Sequence, residues 1–185
     1  MKNLSAKIAV MMLPAFLTGA QLFSQSGETI ERSTRIAYDR QPSFIVITEV
    51  TGGPGISLTD APYAKYYAGF TSMAGYQFTG NIKVGAGSGL HFHNDGTFLP
   101  LFLDARFSLN AGYFVPYLSA AGGLTFNLSD PDNRTWLFIN PSLGVRWVAA
   151  DNKSLSFSAG LMTMSGSINR NSFINFRLGL ELKPR

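Results

Sequence analysis

Cysteine is absent from the 185 residues and charge is scarce, with 15 Lys and Arg and 11 Asp and Glu making up 14% of the chain. Without cysteine there is no disulfide framework and no thiolate metal site. Soluble globular proteins carry about 25% charged residues, so this chain lacks the usual solvated surface. Only 2 histidines occur. The formal charge of +4 is not gathered into any Lys/Arg run, which leaves nucleic-acid binding without an electrostatic footprint. What the chain has instead is 45% hydrophobic residues, 19 glycines, 15 phenylalanines and 7 tyrosines. That is too apolar for disorder, and the length suits a single domain.

The N-terminus reads as an export signal. Lys2 and Lys7 precede an uncharged, mostly apolar stretch from Ile8 to Ala20, and Thr18 and Ala20 are small residues suited to a cleavage site. The stretch is shorter than the ~20 residues of a membrane span, and Pro14 interrupts it. Residues 1–20 are therefore expected to be a signal peptide, cleaved after residue 20 or after residue 24. Residues 21–42 are polar and mixed in charge, and read as an N-terminal linker or tether ending at Pro42.

From residue 43 to 185 the chain alternates apolar with polar or small residues, the pattern of strands with two unlike faces. Ile174, Phe176, Leu178, Leu180 and Leu182 alternate with Asn175, Arg177, Gly179 and Glu181, and Leu155, Phe157, Ala159 and Leu161 with Ser154, Ser156, Ser158 and Gly160. Eight such segments are expected, the first over Ser43–Thr51. Tight turn signals fall at Gly80-Asn81, Asn110-Ala111-Gly112 and around Asp151-Asn152. At the other end lie Gly52–Pro62, Asn94–Gly96, Ser129–Arg134 and Gly166–Arg170. Connections this short join antiparallel neighbours, so an up-and-down meander follows. The uncharged run Phe107–Ser129 is not a transmembrane helix. Asn110, Gly112, Pro116, Gly122 and Gly123 break it, and its apolar residues recur every second position.

The composition of the two faces decides which one lies inside. One face is mostly small, with Gly69, Gly75, Gly85, Gly87, Gly89, Gly144, Gly160 and Gly179 beside Ser142 and Ser154. This suits the crowded lumen of an eight-stranded barrel. A solvated exterior, as on a lipocalin-like barrel, would carry many more charges. The other face is Leu, Ile, Val, Phe and Ala, with aromatics toward the strand ends: Tyr76, Phe78, Phe107 and Trp147 at the tight-turn end, and Tyr66, Phe92 and Phe126 at the other. Aromatic girdles around an apolar band mark a barrel in lipid. The fold expected is all-β, an eight-stranded antiparallel up-and-down transmembrane β-barrel.

On this register the inward face carries Glu49, Lys65, Lys83, Asp104, Arg106, Arg146, Arg177 and Glu181. Such charges must find partners in a narrow lumen. They are expected to form a structural network that plugs it, with a small ion-conducting pore as the alternative.

Several runs resemble the small outer-membrane β-barrel domain proteins of Bacteroidetes. They include Gly75-Tyr76-Gln77-Phe78, Thr97-Phe98-Leu99-Pro100-Leu101-Phe102-Leu103-Asp104-Ala105-Arg106-Phe107, Phe138-Ile139-Asn140-Pro141-Ser142-Leu143-Gly144-Val145-Arg146 and Ser172-Phe173-Ile174-Asn175-Phe176-Arg177-Leu178-Gly179. The resemblance covers residues 43–185. It implies an OmpA/OmpX-like barrel in a Gram-negative outer membrane, and it supplies no catalytic motif. The final Leu182-Lys183-Pro184-Arg185 lacks the terminal aromatic of many such barrels.

His91 and His93 share one face of one strand, with Asp95 nearby. Two imidazoles and a carboxylate are the makings of a zinc or copper site, yet an i, i+2 pair supplies too few ligands, and no metal or other cofactor is expected. A lipid A-modifying barrel would need a base held by an orienting carboxylate near the acyl chain, and no nucleophile motif stands beside these histidines. The expected function is non-catalytic, a structural or accessory-subunit role in the cell outer membrane. The expected partners are outer-membrane lipid and lipopolysaccharide, the barrel-insertion machinery and a larger outer-membrane complex, with no nucleic acid.

Overall fold

The computed structural model describes residues 39–56, 64–94, 96–109, 112–129, 135–150, 152–166 and 170–183. The expected signal peptide and residues 21–38 of the linker lie outside the described residues.

Eight strands follow one another: β1 (Ser43–Ile56), β2 (Tyr66–Gln77), β3 (Ile82–His93), β4 (Gly96–Ser108), β5 (Phe114–Asn127), β6 (Thr135–Ala150), β7 (Lys153–Ser165) and β8 (Arg170–Leu182). Each pairs antiparallel with its neighbour in sequence, and β1 pairs also with β8, so the sheet closes into a barrel. Closure leaves no unpaired strand edge. The uncharged run Phe107–Ser129 becomes the end of β4, its connection and β5.

The period-two pattern sets the register. Along β8, Asn175, Arg177, Gly179 and Glu181 are buried while Ile174, Phe176, Leu178, Leu180 and Leu182 are exposed. On β6, Leu137, Ile139, Leu143 and Val145 point outward and Trp136, Phe138, Asn140, Ser142, Gly144 and Arg146 inward. Many large apolar side chains are exposed, Phe44 reaching 71% and Leu103 66%. The outside is thus an apolar band and the inside a mixed core, the reverse of a water-soluble domain.

The first strand differs from its sequence reading. Gly52-Gly53-Pro54-Gly55 reads as a loop, yet β1 runs on to Ile56 and pairs with both β2 and β8 there. The glycines permit close approach of the backbones. A Cβ at Gly53 would stand 1.7 Å from the Ile174 carbonyl oxygen, and one at Gly55 1.8 Å from that of Ala64. Here glycine marks backbone contact within a strand rather than a turn. A register shift between Val148 and Ala150 marks an irregularity before the β6–β7 connection.

Candidate functional site

Among the described residues, charges gather on the inward side chains. At the tight-turn end, Lys83 of β3 donates to Glu181 Oε1 of β8, and Arg146 of β6 lies 3.6 Å from the same oxygen. Arg146 also grips Asp39, its Nη2 donating to Oδ2 at 2.7 Å while Nη1 donates to Oδ1. Arg146 Nη1 reaches Ser154 Oγ at 3.2 Å as well. The Asp39 main-chain oxygen accepts from Gln77 Nε2 at 2.7 Å and from Lys183 Nζ. Burial lowers the pKa of Lys183, and Asp39 and Glu181 oppose that shift.

A second group fills mid-barrel. Arg106 of β4 donates through Nε (3.0 Å) and Nη2 (2.7 Å) to Asp104 Oδ2, and through Nη2 to Glu49 Oε1 of β1 at 3.0 Å. Its guanidinium lies 5.7 Å from the centre of the Tyr117 ring. Arg177 of β8 stands 3.4 Å from Glu49 Oε2 and 3.6 Å from Asp104 Oδ2. It also donates to Ser158, Ser119 and Ser142 from three neighbouring strands. The serines are small enough to leave room for the two arginines, and they accept from Arg177. Burying a charge costs several kcal/mol unless it is paired in this way.

Bordering these charges, a cavity is walled by Glu49, Thr51, Thr71, His91, Phe102, Ala121, Phe138, Asn140 and Arg177. Counted as space open to the centre of a water molecule, its volume is about 20 Å³, room for about one water. His91 Nε2 and Asn140 Oδ1, neither with a protein partner, belong to residues of that wall. At the far end the lumen becomes apolar, with Tyr67, Phe98, Trp136, Met162, Met164 and Phe173 packed together. The Tyr67 hydroxyl ties this group to Thr51 and Asn175 below.

Seven of the eight charges expected in the lumen are buried there: Glu49, Lys83, Asp104, Arg106, Arg146, Arg177 and Glu181. Lys65 is not among them. It precedes β2 and is exposed, and its main chain bonds Asn94 Oδ1 and the Gly55 amide. The alternation that places Lys65 inward fails because β2 begins only at Tyr66.

Two further charges, Asp39 and Lys183, are buried in the lumen. Asp39 sits upstream of the first alternating segment, in what reads as linker, and nothing local distinguishes it. Lys183 does carry a signal, since it lies two residues beyond Glu181 and continues the inward parity past the last apolar residue.

His91 and His93 point inward, buried among aromatics. The Tyr67 ring stacks on His93 at 5.5 Å, and Phe98 and Phe173 lie at 4.6 and 5.2 Å from it. The two imidazoles are 6.3 Å apart, centre to centre. Among the described residues no group of three His, Cys, Asp or Glu gathers where a metal could bind. Asp95 lies outside the described residues.

No protein-family model matches the chain, and no curated protein matches it in sequence. Solved structures do resemble it. Neisserial surface protein A is 16% identical, with 78% of this chain and 99% of that one covered and a TM-score of 0.58. The N-terminal β-barrel domain of Pseudomonas aeruginosa OprF is 17% identical, with 77% and 100% covered and a TM-score of 0.46. At such identities the likeness to Neisserial surface protein A is one of fold, the closed eight-stranded antiparallel barrel.

Proposed function

We propose that the protein is an outer-membrane barrel with a structural or accessory role and no catalysis, its lumen closed by its own side chains. The observation that carries this reading is the inversion of polarity. Every strand presents apolar residues outward, while Glu49, Asp104, Arg106, Arg177 and their partners turn inward. A closed barrel satisfies its backbone internally, as hydrocarbon demands. All eight strands have 12 or more residues, against the ~9–11 needed to cross a bilayer. Aromatic side chains gather toward the tight-turn end on the outside, where Phe44 meets Tyr76, Tyr76 meets Phe78 and Phe114 stacks on Trp147. These suit the interface between lipid and water.

The ion pairs and the apolar group above them support a plugged lumen over an ion-conducting one. Lipid A chemistry draws no support from His91 and His93, which face the lumen and, among the described residues, have no orienting carboxylate. One feature of the outer face favours an accessory subunit over a lone barrel. Thr48, Ser72 and Ser88 stand in register across β1, β2 and β3, beside Ala74 and Ala86. Small hydroxylated residues in hydrocarbon favour a protein neighbour over lipid.

Two experiments test the reading. Fractionation of the native envelope, followed by mild-detergent pull-down and mass spectrometry, is expected to find the chain in outer membrane together with a stoichiometric partner. Recovery as a barrel that always migrates alone contradicts the accessory role. In planar bilayers the purified protein is expected to give no stable conductance steps, and ion-selective steps would contradict the plug.

A further inference from the structure

Among the described residues, the tight-turn mouth of the barrel buries three cations, Lys83, Arg146 and Lys183, and one carboxylate from the strands, Glu181. The remaining compensation comes from Asp39, which no strand contributes and which is 5% exposed. Its surroundings grip both parts of one residue. The Arg146 fork takes the two carboxylate oxygens, a geometry that matches a planar carboxylate. Gln77 Nε2 and Lys183 Nζ take the main-chain carbonyl. A free anion would satisfy the fork alone, whereas an aspartyl residue within a peptide satisfies all four donors.

Two further contacts fix the approach. The Arg40 side chain lies across Gly80 of the β2–β3 connection, so that a Cβ there would stand 2.6 Å from Arg40 Nε. Lys183 is itself held, its amide donating to the Asn152 carbonyl at 2.9 Å. The donors therefore come from β2, β6 and the residue that follows β8.

We propose that this mouth is a recognition site for an aspartyl residue of a peptide, filled in cis by Asp39, which straps residues 39–42, the described segment before β1, to the barrel. The same donors then suit an aspartyl segment of another protein once the strap is released. This goes beyond the envelope role above and does not depend on it.

The test uses the mature chain folded in detergent. Trypsin cleavage after Arg40, followed by mass spectrometry, is expected to be slow in the wild type. It is expected to be at least about tenfold faster in Asp39→Ala, while the slower gel mobility on heating that marks a folded barrel is unchanged. Equal rates in the two proteins overturn the strap. Should Asp39→Ala fail to fold, amide hydrogen exchange in the wild type decides instead. Protection at residues 40 and 41 supports the strap, and exchange at the rate of a free peptide overturns it.

The peptide arm uses a labelled, end-blocked Ile-Ala-Tyr-Asp-Arg-Gln, the sequence of residues 36–41. Saturable binding to folded Asp39→Ala, lost when the peptide carries Asn in place of Asp, supports recognition in trans. No binding, or equal binding of both peptides, overturns it.

Discussion

Arg106 Nη2 on β4 donates to Glu49 Oε1 on β1 at 3.0 Å, although the two strands are not neighbours in the sheet. The bond crosses the lumen, and Arg177 meets the other oxygen of the same carboxylate at 3.4 Å. Glu49 thus sits between two guanidiniums, one on β4 and one on β8.

Removing this carboxylate leaves Arg106 and Arg177 sharing Asp104. Glu49→Gln is expected to lower stability by about 3 kcal/mol, the usual scale for breaking a buried pair. Urea unfolding in lipid vesicles, followed by electrophoretic mobility, measures this. In a double-mutant cycle with Arg177→Gln, the combined loss is expected to fall short of the two single losses added together.

Charge on the outer face is expected to cost as much as charge removed from the inner one. Leu143 lies near the middle of β6 and is 58% exposed. Leu143→Arg should destabilise the barrel in vesicles by about 2–4 kcal/mol, as at a bilayer midplane. Lys65→Glu, exposed before β2 and outside the lumen network, should change stability by less than about 0.5 kcal/mol. Similar effects of the two changes would contradict a lipid-facing β6.

Gly53→Ala is expected to disturb the pairing of β1 with β8, because the added Cβ meets the Ile174 carbonyl at 1.7 Å. A loss of about 1–3 kcal/mol follows from overpacking, measured as urea midpoint and refolding yield. At Gly112 the nearest atom to such a Cβ is 3.9 Å away, and Gly112→Ala should refold as the wild type does.

Zinc is expected to give no saturable heat on calorimetric titration of the folded protein, and His91→Phe should fold into the same barrel. His91 and His93 sit among Tyr67, Phe98 and Phe173, and among the described residues no third ligand joins them to make a stable site. Zinc binding that disappears in His91→Phe would contradict this.

Most of the barrel could be read from alternation alone. Residues such as Arg177 and Glu181 lie inward because they alternate with Phe176, Leu178 and Leu180, and one face of that strand had to be excluded from solvent. The reading failed where alternation carries no information. Gly52-Gly53-Pro54-Gly55 resembles a loop in composition, and only the backbone contacts reveal a strand. Lys65 lies just before the point where pairing begins, so parity could not place it. Asp39 belongs to a polar segment with no period at all, and its role depends on donors brought together from β2, β6 and the chain beyond β8. Contacts between residues distant in sequence, like those of Asp39 with Arg146 and Lys183, leave no local mark.

The two tryptophans test the central claim, that this barrel is inside out with respect to water. Trp147 is 37% exposed on the outer face and Trp136 only 3% exposed in the lumen. In vesicles of brominated lipids, Trp147 fluorescence in Trp136→Phe should be strongly quenched, most by bromines close to the headgroups. Trp136 fluorescence in Trp147→Phe should be quenched little at any bromine depth. Weak quenching of Trp147, or equal quenching of both residues, would contradict the account.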